Sequence, residues 1–285
     1  MKILENQLLA PFTTYQIGGP ADYFVEAASA EEVTEALEWA AARDMPFYVF
    51  GGGSNLLFDD AGFRGLVIRL RAEGVEVDGE RVTAEAGVMM ARLVKAAEEA
   101  ELTGIEEWNG LPGTVGGAVT GNAGCFGVEV KDVLESATVW SPGEGVRSVG
   151  PEFFEYHYRS SRLKKETGIV LAATFKLARG EATEITAKMR EIARSRIQKQ
   201  PPGSSTGSFF KNPEGDSAGR LIEAAGLKGH VLGKAQISPQ HANFFLNRGG
   251  ATAAELLELA DLAQAEVQKQ FGVVLEQEVV FVPEE

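Results

Sequence analysis

Helical periodicity and capping signals occur in five separate segments of the chain. Ser29 followed by Glu32 has the spacing of a capping box, which predicts a helix from there to about Arg43. Thr252 and Glu255 repeat that spacing at the start of the last periodic segment. The remaining predicted helices cover residues 91–101, 182–198, 218–225 and 252–270.

Short apolar or alternating segments between these helices favour β-strands. Asp78-Gly79 separates two of them, which predicts a hairpin of residues 75–77 and 81–84. The other predicted strands cover residues 23–25, 47–50, 65–70, 136–140, 146–149, 169–177, 235–238, 243–246 and 277–282. Because strands and helices do not alternate regularly, the pattern predicts an α+β fold. The Pro-Pro-Gly-Ser-Ser tract at 201–205 predicts the boundary of a smaller C-terminal unit.

Two glycine-rich runs lack the bulk to build a core. The longer one, residues 110–127, holds seven glycines, and we expect it to form loops rather than a regular helix. The shorter one, residues 50–57, follows a predicted strand and contains Gly51, Gly52 and Gly53. Bare backbone lets a large, flat or phosphorylated ligand approach closely, so the runs predict a cofactor site, with tight turns as the alternative. Leu56 stands where a G-x-G-x-x-G fingerprint needs its third glycine, so a Rossmann site is not expected.

Composition narrows the class of protein. A chain of 285 residues with 44% hydrophobic residues is long enough for two domains with a well-formed core. Cys125 is the only cysteine, which excludes an intrachain disulfide and a multi-cysteine zinc site. No apolar run is long enough to span a bilayer and the N-terminus lacks a signal-peptide core, so we expect a cytoplasmic protein without membrane insertion.

The charge distribution is uneven along the chain. A formal charge of -14 and a pI of about 4.8 disfavour binding to nucleic acid or anionic membranes. The segment 188–211 is the exception, because it contains six basic residues and a single acid, Glu191. Such a segment is either a solvated helix face or a site for an anionic ligand.

Three stretches carry candidate chemistry once weaker motifs are removed. Gly233-Lys234 lacks the rest of a P-loop, and the three histidines lack metal-ligand spacing. Arg159 lies in an aromatic stretch, Ser208 precedes two phenylalanines, and Glu276 and Glu278 fall on one face of a predicted strand. Each has a plainer alternative: an arginine stacked in a packed turn, a serine that caps a turn, and two solvated acids.

In this order the stretches closely resemble the UDP-N-acetylenolpyruvoylglucosamine reductases (MurB), flavoenzymes of peptidoglycan precursor synthesis. The resemblance runs from Asn6 to the C-terminus. It is that of the shorter class, because no tyrosine-bearing loop is inserted between Arg159 and Ser208. Its most specific parts are Gly51-Gly52-Gly53-Ser54-Asn55, Gly110-Leu-Pro-Gly113-Thr-Val-Gly116-Gly117, Tyr158-Arg159-Ser160-Ser161, Gly207-Ser208-Phe209-Phe210-Lys211-Asn212-Pro213, His241-Ala242-Asn243-Phe244 and Leu275-Glu276-Gln277-Glu278-Val279.

The resemblance implies a two-lobed FAD-binding domain of the vanillyl-alcohol-oxidase type, followed by a smaller α+β substrate domain. The FAD-binding domain is then expected at 1–200, with lobes of about 1–72 and 73–200, and the substrate domain at 201–285. Non-covalent FAD is expected, because the first glycine-rich run holds no histidine or cysteine for a tether. The implied FAD contacts are Gly51, Gly52, Gly53, Ser54, Asn55, Gly113, Thr114, Gly116, Gly117, Gly121, Asn122 and Gly124.

The resemblance also implies the catalytic roles. In the family, NADPH delivers a hydride to the flavin, which passes it to C3 of the enolpyruvyl group, and C2 is then protonated. Arg159 is implied as the cation that binds the substrate carboxylate, and Ser208 as the proton donor. Glu278, which matches by its place before Val279-Val280-Phe281, is implied to polarise the carboxylate with the arginine, with a raised pKa. We expect Lys211 to assist Ser208.

The basic segment is expected to bind the UDP diphosphate of a nucleotide-sugar substrate. Lys199, Lys211 and Asn212 are the implied contacts. No nucleic-acid partner and no oligomer are required, and the implied role is in cell-wall synthesis, cell shape and cell division. An FAD-dependent sugar or hydroxy-acid oxidase of the same fold is the alternative enzyme. A non-catalytic nucleotide-sugar binding protein is the alternative outside enzymes.

Overall fold

A computed structural model describes residues 1–284, which contain seven α-helices and eighteen β-strands. The helices are α1 (Ala30–Ala41), α2 (Met90–Glu99), α3 (Val115–Gly121), α4 (Val130–Val133), α5 (Ala182–Lys199), α6 (Ala218–Ala224) and α7 (Ala253–Phe271). The strands are β1 (Leu4–Leu8), β2 (Pro20–Ala27), β3 (Phe47–Phe50), β4 (Leu56–Phe58), β5 (Phe63–Leu70), β6 (Val75–Asp78), β7 (Arg81–Glu85), β8 (Leu102–Thr103), β9 (Gly124–Cys125), β10 (Val128–Glu129), β11 (Leu134–Ser141), β12 (Gly145–Val149), β13 (Ile169–Lys176), β14 (Ala178–Arg179), β15 (Val231–Leu232), β16 (Ala235–Ile237), β17 (Phe245–Asn247) and β18 (Val280–Val282). Within these residues no helix has both the length and the apolar character needed to cross a bilayer.

The five predicted helices are confirmed as α1, α2, α5, α6 and α7. Helix α7 begins with the predicted capping box, in which Thr252 and Glu255 satisfy each other's backbone N–H groups. At α1 the Ser29 hydroxyl accepts a hydrogen bond from the Glu32 N–H at 3.3 Å, as predicted. The Glu32 carboxylate accepts from the Ala28 N–H at 2.7 Å, so this box closes one residue earlier than predicted.

The expectation that residues 110–127 form only loops is wrong, because α3 lies within them. Its Val115, Ala118 and Val119 side chains are buried in the core, which compensates for the low helix propensity of its glycines. Gly116 lies so close to Ala86 that a β-carbon there would be 2.8 Å from that of Ala86. Tertiary packing therefore stabilises the helix and requires glycine at position 116.

Grouped by backbone contacts, the chain forms two compact units. The first unit comprises residues 1–2, 25–52 and 68–196, and the second comprises residues 3–24, 53–67 and the chain from Ile197 onward. This grouping differs from the predicted domains 1–200 and 201–285, which divide the chain at a single point. Those domain boundaries stay predictions. A four-stranded sheet of order β1-β2-β5-β3 is formed by the N-terminal strands.

The first unit is built on a five-stranded antiparallel sheet of order β12-β11-β13-β7-β6. Its β6–β7 hairpin confirms the turn predicted at Asp78-Gly79, where Gly79 adopts a φ of +60°. Helix α3 packs on β13, and α2 packs on β6 and β7. In the core beneath them the Trp108 and Phe175 rings meet edge to face at 5.8 Å.

The second unit combines the antiparallel sheet β15-β16-β17 with the parallel pair β4–β18. Helix α7 packs on β16 and on α6. Its core holds the Phe209, Phe210 and Phe245 rings, of which Phe209 and Phe245 stack at 4.5 Å. The final strand covers Val280–Val282 rather than the predicted 277–282, because its pairing with β4 begins only at Val280.

Candidate functional site

The two glycine-rich runs meet inside the first unit. A β-carbon at Gly51 would lie 2.0 Å from Oγ1 of Thr114, and one at Gly52 would lie 3.3 Å from Cα of Gly113. Larger residues at Gly51 would push the two runs apart. The structure thus brings together four of the predicted FAD contacts, from two runs that are 61 or more residues apart in sequence.

Helix α3 presents bare backbone on one side. A β-carbon at Gly121 would meet no described atom within 4 Å, and one at Gly117 would have Thr114 Oγ1, at 3.9 Å, as its nearest neighbour. Gly117 and Gly121 are four residues apart, so they lie on the same helix face. A β-carbon on this face would thus have free space, unlike one at Gly116, which would meet Ala86.

The backbone N–H groups at the start of α3 are already bonded within the protein. Val115 N–H donates to the Val88 carbonyl and Gly116 N–H to the Ala86 carbonyl, both at 2.9 Å. A phosphate would therefore find few donors at this end of the helix. The sequence predicts the turn at Gly51–Asn55 as the phosphate site, and that assignment stays a prediction.

The rest of the first glycine-rich run lies in the second unit. Gly53 has a φ of +61°, and a β-carbon there would lie 2.2 Å from the Phe12 carbonyl oxygen. Its own carbonyl accepts from the Thr14 N–H at 3.1 Å. The positive φ and the nearby Phe12 carbonyl both require glycine at position 53. The backbone of the turn that carries Ser54 and Asn55 is therefore fixed.

The residues present fit FAD. The Gly117 and Gly121 face of α3 leaves space for a flat ring, because a β-carbon there would meet no described atom closer than 3.9 Å, and residues 51–55 have the glycine-rich sequence that suits a pyrophosphate. No group of three His, Cys, Asp or Glu side chains within residues 1–284 is arranged to hold a metal ion.

Arg159 is held against the end of α3 in the first unit. Its Nη2 donates to the Gly124 carbonyl at 2.7 Å, and its guanidinium carbon lies 5.3 Å from the centre of the Tyr158 ring. Its backbone has a φ of +52°, which is uncommon for a residue other than glycine and is often found at functional sites. The cation predicted to bind the substrate carboxylate thus has a defined position beside the longer glycine-rich run.

Two neighbours of Arg159 anchor its loop to the same helix. Tyr156 Oη donates to the Val119 carbonyl at 2.9 Å, and Ser161 Oγ donates to the Thr120 carbonyl at 2.6 Å. Burial raises the pKa of the Tyr156 phenol, which keeps it a neutral donor. The sequence analysis did not identify Tyr156 or Ser161 as functional, although Ser161 lies in a motif that carried the resemblance.

Asn122 has a structural place that the sequence did not predict. It is fully buried with a left-handed backbone at the C-terminal end of α3. Its Nδ2 donates to Glu129 Oε2 and to the His157 carbonyl, both at 3.1 Å, and its Oδ1 accepts from the Lys131 N–H at 3.1 Å. The side chain therefore joins three segments, while its predicted contact with FAD stays a prediction.

Arg196 braces the two ends of the longer glycine-rich run. Its Nε donates to the Asn109 carbonyl at 2.8 Å and its Nη2 donates to Cys125 Sγ at 3.0 Å. A β-carbon at Gly110 would lie 3.0 Å from Arg196 Cδ, so glycine at this position leaves room for the arginine side chain. Burial raises the pKa of the Cys125 thiol, and the adjacent Arg196 charge partly offsets that effect.

In the second unit the Ser208 segment is held by a buried asparagine. The Asn243 side chain accepts from the Phe210 N–H at 2.9 Å and donates to the Phe210 carbonyl at 2.8 Å. The Asn243 carbonyl accepts from the Phe209 N–H at 2.7 Å, and Ser208 itself forms a β-bridge with Phe244. Asn243 lies in one of the motifs that carry the resemblance, but its local sequence predicted no role for it.

Glu278 lies next to this segment. Its backbone N–H donates to the Phe209 carbonyl at 2.8 Å, which brings two of the three predicted catalytic residues, Ser208 and Glu278, onto neighbouring segments. The side chain of Glu276 is 72% exposed and forms an ion pair with Lys211. Glu278 is half-buried, so the two glutamates differ in exposure, although the strand period predicts that they share a face.

The predicted substrate contacts lie in the second unit. Lys199 is the exposed last residue of α5. The residues on either side of it are held by Gln240, whose Nε2 donates to the Gln198 carbonyl at 3.0 Å and to the Gln200 carbonyl at 3.3 Å. Asn212 Oδ1 accepts from the Ala218 N–H at 3.1 Å at the start of α6. The amide N–H groups of Asn212 are the donors that its side chain offers to a ligand.

Family models match both parts of the chain. The model for the C-terminal domain of UDP-N-acetylenolpyruvoylglucosamine reductase matches residues 198–282, and an FAD-binding domain model matches residues 21–150. The latter range contains all twelve predicted FAD contacts. The chain is 40% identical to the UDP-N-acetylenolpyruvoylglucosamine reductase of Pediococcus pentosaceus, over 100% of this chain and 96% of that protein. It is 44% identical to the reductase of the same name from Chloroflexus aurantiacus, over 96% of this chain and 95% of that protein.

Solved structures give the same result. The crystal structure of UDP-N-acetylenolpyruvylglucosamine reductase from Thermus caldophilus superposes with a TM-score of 0.85 at 38% identity, covering 99% of this chain and 98% of that one. The 6-hydroxy-D-nicotine oxidase of Arthrobacter nicotinovorans superposes with a TM-score of 0.50 at 16% identity, covering 97% of this chain and 61% of that one. At that identity the oxidase shares the fold alone.

Proposed function

The chain belongs to the family of UDP-N-acetylenolpyruvoylglucosamine reductases, and on that premise we propose which of its residues carry the reaction. It is an FAD-dependent oxidoreductase that uses NADPH to reduce UDP-N-acetylglucosamine enolpyruvate to UDP-N-acetylmuramate. The full-length similarity to reductases of this name carries the conclusion. The oxidase alternative is not favoured, because its only support is a fold shared at low identity.

When bound, FAD supplies the redox step, since it accepts a hydride from NADPH and passes it to the enolpyruvyl group. We assign its pyrophosphate to the turn at Gly51–Asn55 and its ring to the Gly117 and Gly121 face of α3. The open space at Gly117 and Gly121 supports the assignment of the ring, and the glycine-rich sequence of residues 51–55 supports that of the pyrophosphate. We propose that FAD is held without a covalent bond, because the turn contains no histidine or cysteine.

Arg159 binds and polarises the substrate carboxylate in this proposal. Guanidinium stays charged at every relevant pH and meets a carboxylate through two parallel hydrogen bonds. The bond to the Gly124 carbonyl and the unusual backbone conformation support a preorganised cation, which needs no rearrangement as negative charge develops.

Ser208 donates the proton that C2 of the substrate takes up, and Glu278 assists at the carboxylate. The hydroxyl O–H bond breaks as the new C–H bond forms, so the oxygen must be stabilised while it carries charge. Lys211 is the cation assigned to that task as well as to substrate binding. Its ion pair with Glu276 supports a fixed ammonium in the Ser208 segment.

The UDP diphosphate is assigned to Lys199, Lys211 and Asn212. The basic character of residues 188–211 in an otherwise acidic chain supports an anionic ligand there. Because the Asn212 oxygen caps α6, its amide N–H groups are the donors for the substrate. The cellular setting we propose is the cytoplasm, with a role in peptidoglycan precursor synthesis and therefore in cell shape and division.

The absorbance spectrum and the two half-reactions test this assignment. The purified protein should be yellow, and denaturation should release the flavin into the filtrate. In anaerobic stopped flow, Ser208→Ala should keep the rate of flavin reduction by NADPH and lose at least about 100-fold in reoxidation by substrate. Ser217→Ala, which removes a serine that caps α6, is the matched control and should keep both rates. Equal loss in both half-reactions of Ser208→Ala would refute the proton-donor role.

A further inference from the structure

The side chain of Asn55 connects the first glycine-rich run to the predicted catalytic carboxyl group. Its Nδ2 donates to the backbone carbonyl of Glu278 at 3.0 Å, across 223 positions of sequence. Both residues belong to the second unit. The sequence predicts Asn55 only as an FAD contact, so the bond to Glu278 is an additional contact that the sequence did not predict.

The bond lies where a parallel strand ladder begins. Strand β4 follows Asn55 directly, and Leu56 pairs with Val280 of β18. The Asn55 carbonyl accepts from the Val280 N–H at 3.0 Å. In a parallel ladder one residue bonds to two residues of its partner strand that are two positions apart. Asn55 bonds to 278 and 280 in that manner, with its side-chain amide as the donor.

Glu278 is also held from its other side. Its N–H donates to the Phe209 carbonyl at 2.8 Å, and the Lys211 N–H donates to the Glu276 carbonyl at 2.8 Å. Gln277 forms a bridge with Phe210 between these two bonds. The N–H of Glu278 is therefore tied to the Ser208 segment, while its carbonyl is tied to Asn55.

We infer that Asn55 is a positioning residue for Glu278, which rests on the proposed catalytic role of that glutamate. The amide fixes the peptide unit that follows Glu278, while Phe209 fixes the one that precedes it. Together they define the direction in which the carboxyl group leaves the backbone. A displacement of about 1 Å at a catalytic group can cost about 100-fold in rate.

The half-reactions separate this role from that of an FAD contact. Both half-reactions of Asn55→Ala are measured at saturating FAD, with its flavin reduction by NADPH as the internal reference. Its reoxidation by substrate should slow by roughly 10-fold to 100-fold, with the loss in kcat rather than in the KM for NADPH. Asn55→Asp has nearly the same shape but cannot donate to the carbonyl, so it should be at least as slow in reoxidation.

The chain offers a matched control in Gln264. Its Nε2 donates to the Leu275 carbonyl at 2.8 Å, so it forms the same kind of bond to the same segment, three residues before Glu278. Gln264→Ala should lower thermal stability about as much as Asn55→Ala but keep both half-reaction rates. Equal slowing in Gln264→Ala would mean that general loosening of the segment causes the effect, and would overturn the inference.

Glu278→Gln distinguishes the two levels of the proposal. If it slows reoxidation but both Asn55 variants keep the wild-type rate, the positioning role is wrong and the catalytic role stands. If Glu278→Gln keeps the wild-type rate, the catalytic role fails and the positioning role fails with it. Loss of FAD affinity in Asn55→Ala with normal half-reactions at saturating FAD would return Asn55 to a cofactor contact alone.

Discussion

Replacing Gly117 by alanine should stabilise the protein without FAD and destabilise its complex with FAD. Gly117 lies in the middle of α3, outside the left-handed region, and a β-carbon there would come no closer than 3.9 Å to the nearest described neighbour, Thr114 Oγ1. The substitution therefore creates neither backbone strain nor a clash in the protein itself. It does place a methyl group on the face assigned to the flavin ring.

The two effects have opposite signs and similar sizes. Glycine to alanine inside a helix stabilises by about 0.5–1 kcal/mol, which is roughly 1–4 °C in Tm for a chain of this size. Overpacking a close contact costs about 1–3 kcal/mol, which is roughly a 5-fold to 150-fold loss of FAD affinity. With FAD at about 100 times the wild-type Kd, a tenfold loss removes roughly 1.3 kcal/mol of ligand stabilisation. The complex should then be about 0.3–0.8 kcal/mol less stable than that of the wild type.

Thermal unfolding with and without FAD, together with fluorescence titration of FAD, measures both terms. Gly116→Ala is the control on the same helix, because its β-carbon would lie 2.8 Å from that of Ala86. It should lower Tm in both states. Unchanged FAD affinity in Gly117→Ala would refute the assignment of the ring to this face. A lower Tm without FAD would refute the argument that the face is open.

Two further predictions concern the second unit. Asn243→Ala should lower the free energy of unfolding by at least about 2 kcal/mol, because it leaves the buried N–H and carbonyl of Phe210 without their partners; urea denaturation measures this, and a loss under about 1 kcal/mol would contradict it. Burial lowers the pKa of His241, so the unfolded chain binds a proton more readily than the folded one. Stability should therefore be complete above about pH 6.5 and fall as the pH is lowered from there toward the folded-state pKa. His241→Gln should weaken that fall in urea midpoints measured between pH 5 and 7.5, and an identical pH profile in the variant would show that other groups cause it.

Local signals in the sequence were sufficient for most of the fold. The Asp78-Gly79 turn, the Thr252 and Glu255 capping box and the helix over Ala182–Lys199 each depend on residues within a few positions of one another, so the chain itself specifies them. The glycine-rich runs also marked positions where backbone must be approached closely, as the contact of Gly51 with Thr114 illustrates, while the FAD contacts assigned to them stay predictions. The order of motifs then identified the family.

Packing between distant segments decided the rest. Helix propensity argued against α3, but burial of Val115, Ala118 and Val119 outweighs the conformational entropy that its glycines lose on folding. Strand period placed Glu276 and Glu278 on the same face. In the structure the Glu276 side chain forms an ion pair with Lys211, and the backbone of Glu278 is bonded to Phe209 and Asn55. The sequence by itself determined which segments fold and which chemistry they carry, because those depend on neighbours along the chain. Only the tertiary structure decided which side chains contact each other, because contacts such as that of Asn55 with Glu278 form between residues that are far apart in sequence.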